Sequence, residues 1–123
     1  MTIIQGSCHC GAIRFEIEAA PAQLTQCTCS FCSKRGVLWA YYPPRQFRLL
    51  TPVEDVSTYV WNSRTVKHHF CARCGCGTYS ESPDWSSGKP DFDRPQIGVN
   101  ARLLDDFELE AVPVQVVDGR RLW

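Results

Sequence analysis

Eight cysteines in a chain of 123 residues, gathered into three short groups, constrain this sequence more than any other feature. The groups read Cys8-x-Cys10, Cys27-x-Cys29-x-x-Cys32 and Cys71-x-x-Cys74-x-Cys76. Zinc takes four tetrahedral ligands, with thiolate sulfur at about 2.3 Å. Two thiolates one or two residues apart can share a metal if the backbone turns tightly, and Gly11 and Gly75 allow the positive φ such a knuckle often needs. Two pairs distant in sequence can complete one tetrahedron and staple strands that a thin core would hold poorly. Disulfides are the competing reading, since eight is even. A bridge within Cys8-His9-Cys10 or Cys27-Thr28-Cys29 would close a small, strained ring. The N-terminus, Met-Thr-Ile-Ile-Gln-Gly-Ser-Cys, has neither the basic nor the apolar region of a secretion signal, so a cytosolic chain is expected. No stretch approaches the roughly 18 apolar residues of a membrane span. In a reducing cytosol clustered cysteines are more often metal ligands than disulfides.

Cys8, Cys10, Cys71 and Cys74 make a set of four ligands, as a structural zinc requires. Cys27, Cys29 and Cys32 make a separate set of three, which leaves the fourth zinc position open, the pattern of a catalytic zinc. Spacing alone also allows a cysteine of the middle group to join the last one.

Thirteen basic and thirteen acidic side chains balance. The chain therefore lacks the positive footprint that nucleic-acid binding needs. With 44% hydrophobic and 21% charged residues it reads as one folded domain over residues 1–123, with a thin core for its size. Ala12 to Glu18 alternates, with Ile13, Phe15 and Ile17 on one face of a half-buried strand. Further strands are expected at 37–42, 47–50, 57–61, 66–71, 78–81, 96–100 and 114–117. A helical turn or two is expected over 28–34, ended by Gly36, and a short turn over 101–107. Residues 82–95 hold three prolines, a glycine and three serines, and are expected to form a surface loop. The pattern is mostly β.

These residues carry a resemblance. Gly6-Ser-Cys-His-Cys-Gly-Ala-Ile-Arg-Phe15, Cys27-Thr-Cys-Ser-Phe-Cys-Ser-Lys-Arg-Gly36 and Phe70-Cys-Ala-Arg-Cys-Gly75 resemble the glutathione-dependent formaldehyde-activating enzyme family, which includes centromere protein V. Gly98-Val-Asn-Ala-Arg-Leu-Leu-Asp-Asp106 is similar to that family's closing strand and turn, and the resemblance spans roughly residues 3–118. It implies a single β-tent domain stapled by zinc, with two zinc ions per chain and carbon–sulfur lyase chemistry. By position it puts the structural zinc on Cys8, Cys10, Cys71 and Cys74 and the catalytic zinc on Cys27, Cys29 and Cys32, in agreement with the spacing. The implied partners are a small thiol such as glutathione and an aldehyde, the adduct being of the S-hydroxymethylglutathione kind. The alternative is a non-catalytic zinc module that binds a protein partner.

The two readings differ at Cys76. A cysteine there either closes the second zinc site or packs as a small hydrophobe. Lys34 and Arg35 follow Cys32 directly, as a solvated turn or as cations that offset the thiolate charge or hold a thiol substrate's carboxylate. His9, His68 and His69 are expected behind the ligands or at the surface, because cysteines already supply two sites. Trp39, Tyr41 and Tyr42 are expected in the core, with some available to line a substrate cleft. No side chain for proton transfer to the adduct's oxygen stands out.

Overall fold

The alternation around Phe15 buries Ile13, Phe15 and Ile17 completely, and the architecture builds outward from them. The computed structural model describes residues 3–122. β1 (Ile4–Ser7) pairs antiparallel with β2 (Arg14–Ile17), which pairs in turn with β5 (Phe47–Leu49). A seven-stranded sheet is formed by β3 (Leu24–Cys27), β4 (Trp39–Tyr42), β6 (Val56–Tyr59), β7 (Lys67–Cys71), β8 (Gly77–Asp84), β9 (Asp91–Asn100) and β10 (Val114–Val117). Its order is β10-β3-β4-β9-β8-β7-β6, with β10 parallel to β3 and the other pairs antiparallel. Helical structure is limited to α1 (Ser30–Arg35), α2 (Gly119–Leu122) and short 3-10 turns, one at Ala101–Leu103. The fold is the mostly-β tent that the resemblance implies.

The main core gathers Phe15 and Ile17 from the small sheet with Leu24, Ala40, Tyr42, Tyr79, Ile97 and Val99 from the large one. Tyr42 reaches through this core and donates its hydroxyl to the Ala19 carbonyl at 2.9 Å, which satisfies its polar end. Leu24 to Cys27 and Ile4 to Ser7 form strands that the sequence pattern does not announce, because each carries too few apolar residues to alternate.

Residues 82–95 are not a loop. β8 continues to Asp84 and β9 begins at Asp91, so a hairpin occupies most of this stretch. Pro83 is accommodated because the β8–β9 register shifts between Ser82 and Asp84, where a residue without an N–H costs no ladder bond.

Candidate functional site

Two sulfur clusters form where strands end. Cys8 and Cys10 lie in the connection from β1 to β2, Cys71 ends β7 and Cys74 follows it. The backbone folds back through Gly11 and Gly75, at φ +81° and +82°, conformations that side chains rarely adopt. Gly75 N–H donates to the Cys71 carbonyl at 2.8 Å, closing the second knuckle. The four sulfurs lie within 4.8 Å of one another. Cys8 and Cys10 Sγ are 3.7 Å apart, and Cys10 and Cys71 Sγ are 3.6 Å apart. A tetrahedron with metal–sulfur bonds of about 2.3 Å has edges of about 3.8 Å. The donor set therefore has the size of a metal tetrathiolate, and all eight cysteines are free of disulfides. The cluster joins the small sheet to the large one.

The second cluster lies at the other end of the large sheet. Cys27 ends β3, Cys29 caps α1 and Cys32 lies within it, and all three are buried. Their sulfurs also lie within 4.8 Å of one another. N–H groups converge on them. Cys29 N–H donates to Cys27 Sγ at 3.5 Å, Cys32 N–H to Cys29 Sγ at 3.3 Å, and the Trp39 indole N–H to Cys32 Sγ at 3.3 Å. Donors placed around sulfur favour thiolate. A hydrogen bond from Cys32 holds Cys27 down at about 6, while the same contact and burial push Cys32 up. One thiolate thus discourages its neighbour, and a cation among the three relieves that conflict. Each cluster could hold a metal ion, and neither includes a histidine.

The second cluster opens on a cavity. A space of about 640 Å³ is floored by Cys27, Cys29 and Cys32 and walled by aromatic rings from separate parts of the chain. Phe31 comes from α1, Trp39 and Tyr41 from β4, Trp61 from beyond β6, and Trp85 from the β8–β9 hairpin. Three of the four tryptophans line it, and the fourth, Trp123, lies outside the described residues. Gly98 on β9 faces Tyr41 on β4, and a Cβ there would come within 3.2 Å of the Tyr41 ring and 3.1 Å of the Trp39 ring. A side chain at this position would crowd both rings.

His68 also lines the cavity. Its ring lies 4.1 Å from Phe31, its Nδ1 is 2.8 Å from Ser80 Oγ, and burial lowers it to about 4, so the ring is neutral at ordinary pH. His69 points to the other face. There Nε2 donates to Glu81 Oε2 at 2.7 Å, and in that tautomer Nδ1 accepts from Thr58 Oγ1 at 2.8 Å. His9 is exposed.

Cys76 packs beside the first cluster, against the buried group of Cys8, Ile13 and Cys71, and its carbonyl accepts from Cys71 N–H at 3.0 Å. It takes no part in the three-cysteine group. Lys34 and Arg35 border a separate depression of about 440 Å³ that shares Phe31 and Trp61 with the main cavity. The Arg35 guanidinium packs on two rings, 4.9 Å from the Phe31 centroid and 5.3 Å from that of Phe70. Lys34 is exposed.

The family model described as glutathione-dependent formaldehyde-activating enzyme matches residues 3–115. The chain belongs to this family. A Halomonas elongata protein provisionally named a glutathione-dependent formaldehyde-activating enzyme is 28% identical over 92 residues, 68% of this chain and 59% of that protein. The chain thus spans about three fifths of that relative's length. A crystal structure of a Rhodobacter sphaeroides protein superposes with a TM-score of 0.71 at 31% identity, covering 90% of this chain and 99% of that one. No helix among this chain's described residues is long and apolar enough to cross a membrane.

Proposed function

We propose that this chain makes or breaks a carbon–sulfur bond in an adduct of a small thiol and an aldehyde, as a zinc-dependent carbon–sulfur lyase. One observation carries the reading. The three-cysteine cluster floors a cavity, and the four-cysteine cluster does not line it. Four sulfurs complete a zinc shell and three leave a place for an incoming ligand.

In this reading Cys8, Cys10, Cys71 and Cys74 hold a structural zinc, and Cys27, Cys29 and Cys32 hold the second. Zinc in the second site supplies the positive charge that lowers the proton affinity of an incoming thiol. The protein's own part is to orient and to exclude water. The aromatic walls hold the adduct against the cluster in a setting of low polarity. His68, with Nδ1 engaged by Ser80, lines the cavity as a neutral ring and is positioned to serve as a hydrogen-bond partner for the adduct's hydroxyl. Arg35 interacts with Cys32 and offsets part of the cluster's negative charge. A cytosolic setting, which keeps thiols reduced, suits eight free cysteines.

The reading as a non-catalytic module needs the second site closed. The placement of Cys76 beside the first cluster supports an open one. The test is metal content together with exchange kinetics. Elemental analysis of the purified chain is expected to give two zinc ions. NMR exchange measurements on a mixture of thiol and formaldehyde should show the hemithioacetal forming and dissociating faster with the protein than without it. Cys29→Ser should abolish that acceleration. One zinc or none, or no acceleration with any thiol, would overturn the proposal.

A further inference from the structure

We infer that the adduct handled here carries an uncharged aromatic or similarly apolar group, rather than a charged peptide such as glutathione. The inference rests on the thiol–aldehyde reading of the Cys27–Cys29–Cys32 site and names the substrate class that site selects.

Size is the first argument. A cavity of about 640 Å³ falls in the range of roughly 300–1,000 Å³ that suits drug-sized ligands. A one-carbon aldehyde on a small thiol would leave most of it to water. The second argument is surface. Phe31, Trp39, Tyr41, Trp61 and Trp85 present ring faces and edges to the same space, an arrangement suited to clasping a flat apolar group.

Charge is the third argument. None of the described residues lining the cavity is Asp, Glu, Lys or Arg. Its polar lining is neutral, with Asn62, Ser82 and Gln96 on the side away from the cysteines' own elements. Glutathione carries two carboxylates, and a carboxylate taken out of water needs a cation or several donors to offset the loss. The cysteine cluster adds negative charge of its own and repels further anions. Lys34 and Arg35, the cations that follow Cys32, do not line this cavity. Arg35 packs on Phe31 and Phe70 and, with Lys34, borders the neighbouring depression. An uncharged tail meets none of these costs.

The chemistry needs no further reactant. The thiol sulfur's lone pair forms the C–S bond, the carbonyl π pair moves to oxygen, and the thiol proton ends on that oxygen. The reverse step returns thiol and aldehyde, and nothing is oxidised or reduced. The apolar group can arrive on either partner, so the test has two arms, benzyl mercaptan and benzaldehyde, with glutathione as the comparison.

The purified full chain with its bound metal is titrated with each, following tryptophan fluorescence and saturation-transfer NMR. At least one aromatic compound is expected to bind roughly tenfold or more tightly than glutathione, and to lose a comparable factor in Trp61→Ala. Trp85→Ala, at the exposed hairpin, should show the same loss with little risk to folding. Which arm binds tells which partner bears the ring. Tighter binding of glutathione, weakened by Lys34→Ala, would overturn this inference and leave the thiol–aldehyde reading in place. Aromatic binding indifferent to both tryptophan substitutions would also overturn it. Failure of every thiol and aldehyde to bind would overturn both.

Discussion

The Trp39 indole N–H donates to Cys32 Sγ over 3.3 Å, tying the middle of the large sheet to the one cysteine of its cluster that lies inside a helix. Trp39 thus does two things at once. Its ring is a wall of the cavity and its N–H is a fixed donor to the cluster's sulfur. Trp39→Phe keeps most of the wall and removes the donor. Loss of such a supporting hydrogen bond typically costs about 10–100-fold in metal affinity. Competition with a chelator is expected to strip one zinc per chain from Trp39→Phe earlier than from the wild type, with the other zinc unaffected.

The first cluster links the β1–β2 connection to the end of β7, and so holds the small sheet against the large one. Cys74→Ser should lower the melting temperature and the soluble yield markedly, since metal binding at such a site is folding free energy. Cys29→Ser should retain the fold far better while binding one zinc fewer. Thermal melts of the two variants side by side check this, and equal melting would remove the division of labour between the clusters.

His68 is held at about 4 by burial, below the roughly 6.5 of a free histidine. The unfolded chain therefore takes up this proton at a higher pH than the folded one. The contribution of neutral His68 to stability is complete above about pH 6.5, falls as pH drops from there, and is gone below about pH 4. His68→Gln should flatten the acid limb of a stability–pH profile over that window. NMR of the imidazole should show the ring still neutral at pH 5.5.

Gly75 sits at φ +82° with nothing near enough to obstruct a methyl group. Gly75→Ala therefore tests backbone strain alone. It should destabilise by about 1–2 kcal/mol, the usual cost of a left-handed conformation for a residue with a Cβ. Urea unfolding of the zinc-loaded protein measures it directly.

The two cysteine clusters were legible because a ligand set writes itself into short spacings. The glycines at positions 11 and 75 have the positive φ expected of knuckle residues. Gly36, also at positive φ, ends α1 as expected. The cavity was not legible. Its walls come from Phe31, Trp61 and Trp85, distant in sequence, and are brought together by strand order that no local pattern encodes. The histidines show the limit most directly. Alternation places His68 and His69 on opposite faces, so one of them should be solvated, yet both are buried. β7 lies between β6 and β8, with Phe31 and Trp39 against His68 and Tyr79 against His69. Prolines misled in the other direction, since a register shift gives Pro83 a place inside β8.

The β8–β9 hairpin gives the cavity an unusual division of mechanical roles. The sulfur floor belongs to β3 and α1, while Trp85 and Gly88 on the far side belong to a turn between two strand ends. Turns of this kind tolerate insertion, deletion and substitution with little effect on the sheet beneath. Lengthening or shortening this one would widen or narrow the chamber without moving a sulfur atom. A lineage built on this scaffold can therefore change what the cavity accepts through a few residues at one tip, while inheriting the sulfur clusters intact.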